Sequence, residues 1–157
     1  MRELLLVRHG QAEAAAFGGD AARALTAEGR AAIDAVGRGL AALGLVPDLI
    51  WHSPFVRAAQ TAELLANALA ISSSLVRQEP LLVPGASGER AARALREASA
   101  RRVLCVSHLP LLPELVGRLV GTRTDFGTGT VAHLALTEPH GAALIGLWSA
   151  ALLARVR

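Results

Sequence analysis

The sequence predicts an α/β fold: a three-layer α-β-α sandwich on a mostly parallel sheet with an antiparallel C-terminal edge. Three observations carry that prediction. Short continuous apolar runs at Leu4–Val7, Leu49–His52 and Val103–Val106 have the length and pattern of strands buried on both faces. Segments with apolar residues at helical spacing separate these runs, which implies right-handed βαβ units. Two further runs, Thr130–Thr137 and Ala143–Trp148, flank Glu138-Pro139-His140-Gly141, a turn sequence that makes them a hairpin. A chain of 157 residues fits one domain, residues 1–157.

The elements follow in order. Leu4–Val7 forms the first strand and ends at Arg8-His9-Gly10. Residues 11 to 24, with Gly18-Gly19-Asp20 and many alanines, read as a loop. Thr26 is suited to cap a helix running to about Leu43, with Gly44 as its stop; Ile33, Val36, Leu40 and Leu43 keep helical spacing. After the Leu49–His52 strand, Ser53 is placed as N-cap and Pro54 in the first turn of a helix reaching Leu69. A weaker strand, Leu75–Gln78, precedes a Pro/Gly segment. Ser87 can cap a third helix through about Ala98. The strand from Arg102 to His108 is the most apolar in the chain, and Pro110 and Pro113 open a fourth helix ending near Gly121.

Composition excludes several chemistries. All sixteen Lys+Arg residues are Arg, Tyr is absent, and there is one Cys. A Schiff-base lysine, a Walker-A lysine and a tyrosine acid are therefore impossible. Cys105 alone can form neither an internal disulfide nor a cysteine zinc cluster, and its apolar run marks it as an inert core residue. The pI of 10.8 looks suited to nucleic acid, but the net charge is only +3. With no Lys or Tyr, almost nothing titrates on the alkaline side, so a small Arg excess raises the pI far. The arginines are dispersed, and neither a nucleic-acid partner nor a membrane is expected. No run reaches the ~20 apolar residues of a membrane span, and Leu4–Val7 is too short for a signal-peptide core, so a cytoplasmic location is expected.

In open α/β sheets, ligands bind beyond the carboxyl ends of the strands. Arg8 and His9 end the first strand, His108 ends the Val103–Val106 strand, and Arg57 lies in the first turn of the helix after His52. A parallel sheet brings all four to one edge. Two arginines and two histidines around one point suit a tetrahedral oxyanion, since Arg grips phosphate with a bidentate fork. One imidazole can attack phosphorus while the other steadies the remaining oxygens. No metal motif and no cofactor motif accompanies them. Gly37-Arg38-Gly39 and Gly127-Thr128-Gly129 fit the loose dinucleotide pattern, but neither sits between a strand and a helix. His52, His133 and His140 fall on a strand end, in a strand and in a turn, and are assigned no direct role.

These residues carry a resemblance. Leu4-Leu5-Leu6-Val7-Arg8-His9-Gly10 resembles the signature of the histidine phosphatase superfamily, which has the phosphoglycerate mutase-like fold. Ser53-Pro54-Phe55-Val56-Arg57-Ala58-Ala59-Gln60-Thr61 is similar to its second block, and Val103 to Pro110 to its third. Leu25-Thr26-Ala27-Glu28-Gly29 fits its usual helix start. The resemblance implies that His9 is the nucleophile, that Arg8, Arg57 and His108 hold the phosphate, and that Gln11 contacts substrate. It implies no metal.

One departure bears on substrate. Many members carry a Glu acid in a Leu-x-Glu pattern after the third strand. This chain has Leu81-Leu82-Val83-Pro84-Gly85 there, with Glu79 and Glu89 to either side. The short SixA-like phosphohistidine phosphatase branch is similar in this respect and in length. An alkoxide leaving group needs a proton from a placed acid, whereas an imidazole leaving group is readily protonated near neutral pH. The resemblance therefore implies a phosphohistidine phosphatase acting on a phosphorylated protein, such as a histidine-containing phosphotransfer domain. Two alternatives stay open: a phosphatase or mutase for small phosphorylated metabolites, and a weakly catalytic module that binds phospho-ligands. The oligomeric state and any lid role of residues 11–24 are not legible.

Overall fold

Apolar residues at consecutive strand positions must be covered on both faces, because neighbouring side chains point to opposite sides. The computed structural model, which describes residues 1–157, covers them with helices. The elements are β1 (Arg2–Arg8), α1 (Ala27–Ala42), β2 (Leu49–His52), α2 (Val56–Ala68), β3 (Val76–Gln78), α3 (Gly88–Glu97), β4 (Arg102–Ser107), α4 (Leu111–Val120), β5 (Val131–Thr137), β6 (Gly141–Trp148) and α5 (Ala150–Leu153). The strands form one six-stranded sheet in the order β3-β2-β4-β1-β5-β6. The pairs among β3, β2, β4 and β1 are parallel; β5 and β6 run antiparallel at the C-terminal edge. The α/β sandwich expected from the sequence is the fold observed.

The two faces carry separate cores. Leu4, Leu6, Val103 and Cys105 pack with α3 and α4 through Leu95, Leu112 and Leu115. Leu5, Val7, Leu104 and Val106 pack with α1, α2 and α5 through Ile33, Val36, Leu65 and Leu153. Burying each such side chain is worth roughly 1.5–3 kcal/mol, so register is strongly specified: a one-residue slip would exchange the two cores. Cys105 is fully buried and burial pushes its thiol pKa far up, as suits an inert core residue.

Most element ends agree with the sequence reading. Thr26 caps α1 by accepting from the Gly29 N–H at 2.9 Å, and Gly44 terminates its turn at φ +69°. Ser87 caps α3, and Gly121 closes α4 at φ +82°. Two expectations need correction. α2 begins at Val56 with Phe55 at its cap position, not at Pro54 with Ser53 as cap. The Ser53 hydroxyl is engaged elsewhere, as described below. The sequence reading also lacked α5, whose Leu153 carbonyl would lie 2.3 Å from a Cβ at Gly39 of α1. No helix is long and apolar enough to cross a membrane.

Residues 11–24 return on themselves. Glu13 N–H donates to the Ala24 carbonyl at 2.8 Å, and Thr26 N–H to the Gln11 carbonyl at 3.0 Å. A short 3-10 turn at Asp20–Ala22 lies within this loop. Gly19 precedes it at φ +83°, a conformation that favours glycine. The loop therefore leaves β1 and comes back to the same strand end before α1 starts.

Candidate active site

The sheet register decides what meets what. Arg8 pairs with Ser107 across β1 and β4, so His9 and His108 each stand one residue beyond adjacent strand ends. His9 N–H donates to the Ser107 carbonyl at 3.1 Å. His52 pairs with Val106, which puts Ser53 beside His108. The first turn of α2 then carries Arg57 over the same edge. Arg8, His9, Arg57 and His108 line one cavity of about 330 Å³, the convergence expected from the strand assignments, and Gln11, expected from the resemblance, lines it too. Ala12, Arg23, Leu109 and Thr128 complete its lining. A larger cleft of about 460 Å³ lies at the other end of the sheet, among α3, α4 and the β5–β6 turn. Its Arg2 and Arg96 are committed to main-chain carbonyls of Leu95, His140 and Gly141, which makes them structural.

His9 is 6% exposed, and its tautomer follows from its neighbours. Nδ1 lies 2.8 Å from the Gly10 carbonyl, which can only accept, so Nδ1 carries the proton. Nε2 then holds a lone pair, and Arg57 Nε donates to it at 3.2 Å. Burial depresses the His9 pKa to about 4; the Gly10 hydrogen bond opposes this, and the charges of Arg57, Arg8 and Arg23 reinforce it. The imidazole is thus neutral at pH 7.

His108 is 1% exposed, its ring 5.0 Å from that of His9 and 5.1 Å from Phe55. Its Nε2 is 2.7 Å from Ser53 Oγ. That oxygen also accepts the Phe55 N–H at 3.3 Å. His108 Nδ1 is buried and has no partner within the protein. A buried polar atom left unpaired is costly, so its natural partner is a polar group of a ligand in the cavity. Burial depresses the His108 pKa to about 3; His9, Arg57 and Arg8 add to that, and Asp20 opposes it.

Arg8 Nη1 donates to the Phe126 carbonyl at 2.8 Å, and its Nε is buried without a partner. Arg57 is 4% exposed, stacks over Phe55 at 5.0 Å, and donates through Nη1 and Nη2 to Asp20. Gln11 lines the cavity with an exposed side chain whose Oε1 accepts from Thr26 Oγ1 at 3.0 Å. Thr61 ties the parts together: its hydroxyl donates to the Arg57 carbonyl at 2.7 Å and accepts the Gly10 N–H at 3.0 Å.

Sequence reasoning missed Asp20, Arg23, Ser53 and Thr61 as members of this site. Ser53 and Thr61 stood inside the second block but were read as cap and helix residue. Arg23 and Asp20 stood in an apparent loop. The signal was the helix start at Leu25-Thr26, which obliges the preceding residues to return to the end of β1. Glu79 and Glu89 do not reach the cavity lining; the Glu79 carboxylate accepts the Leu81 N–H at 3.0 Å. His52 bonds its neighbour's carbonyl, and His133 lies 3.6 Å from Glu3 within the sheet and does not line the cavity. No group of three His, Cys, Asp or Glu side chains is placed to hold a metal ion.

Comparison with known proteins points the same way. Residues 4–82 match the histidine phosphatase superfamily (branch 1). Over 140 residues the chain is 31% identical to the phosphohistidine phosphatase SixA of Escherichia coli (strain K12), spanning 87% of this chain and 86% of that protein. It is similar to a solved structure of the protein histidine phosphatase SixA complexed with tungstate, with a TM-score of 0.88 at 28% identity, covering 95% of this chain and 97% of the other. The alpha-ribazole phosphatase from Shigella flexneri shares the fold, with a TM-score of 0.74 at 22% identity and coverage of 94% and 96%.

Proposed function

The chain belongs to the histidine phosphatase superfamily, and on that premise we propose that this phosphatase hydrolyses phosphohistidine on a protein substrate, with His9 as nucleophile and residues 1–157 acting as one domain. The observation that carries the reading is the His9 tautomer. Its Nδ1–H is fixed on the Gly10 carbonyl, leaving the Nε2 lone pair in a cavity shared with Arg8, Arg57 and His108.

The reaction runs in two displacements. His9 Nε2 attacks phosphorus in line with the P–N bond of the substrate. That bond breaks, its electrons leave on the substrate imidazole, and the imidazole takes a proton from water. The phosphoryl group is now bonded to His9 Nε2, held by the Arg8 and Arg57 guanidiniums and by His108. Water attacks phosphorus, the bond to Nε2 breaks, and phosphate leaves with the water oxygen. As Nε2 attacks, Arg57 Nε moves from its lone pair to a phosphoryl oxygen, and it returns to the lone pair when the bond to Nε2 breaks.

Two features support phosphohistidine over phosphate esters. The cavity lining holds no Asp or Glu, so no carboxylic acid stands ready to protonate an alkoxide. A similar sequence and a similar solved structure are named SixA, as phosphohistidine phosphatase and protein histidine phosphatase, and the structure holds tungstate, a tetrahedral oxyanion like phosphate. Exposed Leu109 in the cavity lining suits a macromolecular substrate.

The test uses a phosphorylated histidine-containing phosphotransfer domain, 3-phosphoglycerate and an aryl phosphate. Labelled donor should leave an acid-labile, base-stable adduct on the protein, absent in His9→Ala. A His9→Ala variant that still turns over would remove the nucleophile assignment. A binding module would give no adduct at all. Higher kcat/KM for a small ester than for the phosphoprotein would reassign the substrate class.

A further inference from the structure

Arg57 is held by one residue from the far side. Its Nη1 donates to the Asp20 main-chain carbonyl at 2.8 Å and its Nη2 to Asp20 Oδ2 at 3.2 Å, while Nε points to His9 at 3.2 Å. Asp20 is held in turn. Arg23 Nε donates to Asp20 Oδ1 at 2.8 Å, and Arg23 Nη1 reaches the Glu13 carbonyl at 2.8 Å. The 3-10 turn beginning at Asp20 fixes the carbonyl, with Arg23 N–H bonding it at 3.2 Å. One carboxylate thus bridges two arginines of the cavity lining, and both come to it from different elements.

The bland reading is a surface ion pair. The Asp20 side chain is 61% exposed, and such pairs add little stability. The other partner, however, is almost fully buried. A guanidinium is a planar fork, so gripping both outer nitrogens leaves it one orientation, with Nε toward His9. Without Asp20, Arg57 could rotate about its long side chain and turn Nε away from His9 and the phosphoryl oxygens.

We propose that Asp20, itself held by Arg23, is a positioning residue that orients Arg57 Nε toward His9. The proposal rests on the reading of His9 as nucleophile. Asp20 acts through Arg57 and touches neither phosphorus nor the leaving group.

Two expectations separate positioning from structural support. Asp20→Ala lowers kcat on an aryl phosphate about 10- to 100-fold, as misorientation at a reacting centre does, while KM moves less than kcat. Its Tm stays within about 2 °C of the parent, because the lost pair is exposed. The decisive measurement is the cycle with Arg57→Ala. If Asp20 works through Arg57, adding Asp20→Ala to Arg57→Ala costs no further activity. Asp20→Asn, which keeps shape and main-chain carbonyl but loses charge, falls between parent and Asp20→Ala; Arg23→Ala follows the same direction more weakly. Losses that multiply in the double variant, or a parental kcat in Asp20→Ala, would overturn the proposal. His9→Ala is run beside them. Turnover in His9→Ala rejects the nucleophile reading, whereas a dead His9→Ala beside an indifferent Asp20→Ala rejects only the positioning role.

Discussion

Gly29 is the third residue of α1, where alanine would ordinarily be better by roughly 1 kcal/mol. A Cβ there would lie 2.1 Å from the Gln11 carbonyl oxygen, 3.0 Å from its carbon and 3.1 Å from its nitrogen. Packed atoms do not approach so closely, and all three are main chain, so the Gln11 peptide must retreat by about 1 Å. That peptide is joined to Gly10, whose carbonyl orients the His9 ring and whose N–H is held by Thr61. A displacement of that size at a reacting group costs about 100-fold in rate, which corresponds to about 2.7 kcal/mol in the barrier. Overpacking also costs roughly 1–3 kcal/mol of stability, or about 3–10 °C in Tm for a chain of this size. Gly29→Ala is therefore expected to lose kcat on an aryl phosphate and to melt earlier. Melting curves and steady-state rates on the same preparation check both. A variant that melts higher with undiminished kcat would refute the reasoning, since it would show that the loop absorbs the methyl without moving His9.

Four further outcomes are expected. His9 and His108, with pKa values near 4 and 3 against an ordinary 6.5, remain neutral from pH 7 down to about pH 5, and ¹⁵N-histidine NMR should report two neutral rings with His9 as the Nδ1–H tautomer; protonation of either near pH 6.5 contradicts this. Since the unfolded chain binds these protons near pH 6.5 and the folded chain does not, their contribution to stability is complete above that pH and is lost as pH falls toward 4. It is on the order of 3 kcal/mol for His9 alone and is measurable by denaturant titration. Ser53→Ala removes the hydroxyl hydrogen-bonded to His108 Nε2 and should lower kcat about tenfold while shifting the His108 nitrogen resonances; unshifted resonances would separate Ser53 from His108. Phe17→Glu, altering a fully exposed side chain on the loop beside the cavity, should lower kcat/KM about tenfold or more for a phosphoprotein and leave an aryl phosphate unaffected; equal effects on both would argue against docking there.

The sheet and the first half of the site were legible because they rest on local patterns. Leu4–Val7 and Val103–Val106 can only be strands with both faces covered, and a parallel pair must bring Arg8, His9 and His108 to one edge. What was not legible depends on contacts distant in sequence. Ser53 has the chemistry of an N-cap, and the competing partner that takes its hydroxyl, His108, is 55 residues away. Asp20 and Arg23 carry no periodicity, so only the closure of the loop onto Gln11 and Thr26 reveals that they belong to the site. α5 has four residues, too short for any periodic signal, and its Leu153 is fully buried by tertiary packing against α1.

The charge state of the cavity follows from these placements. Both histidines are neutral at pH 7, so Arg8, Arg23 and Arg57 supply all the positive charge and the Asp20 carboxylate offsets one of the three. The two charges that remain match a phosphoryl dianion. Protonated histidines would bind phosphate more tightly, but tighter binding of substrate and product alike adds nothing to turnover, and a protonated His9 has no lone pair to attack with. Burial that depresses both imidazoles therefore serves the nucleophile and the release of product together. Arginine stays charged throughout, and the chain has no lysine. The positive charge of this cavity is consequently insensitive to alkaline pH, and only acid, by protonating His9 and His108, can change it.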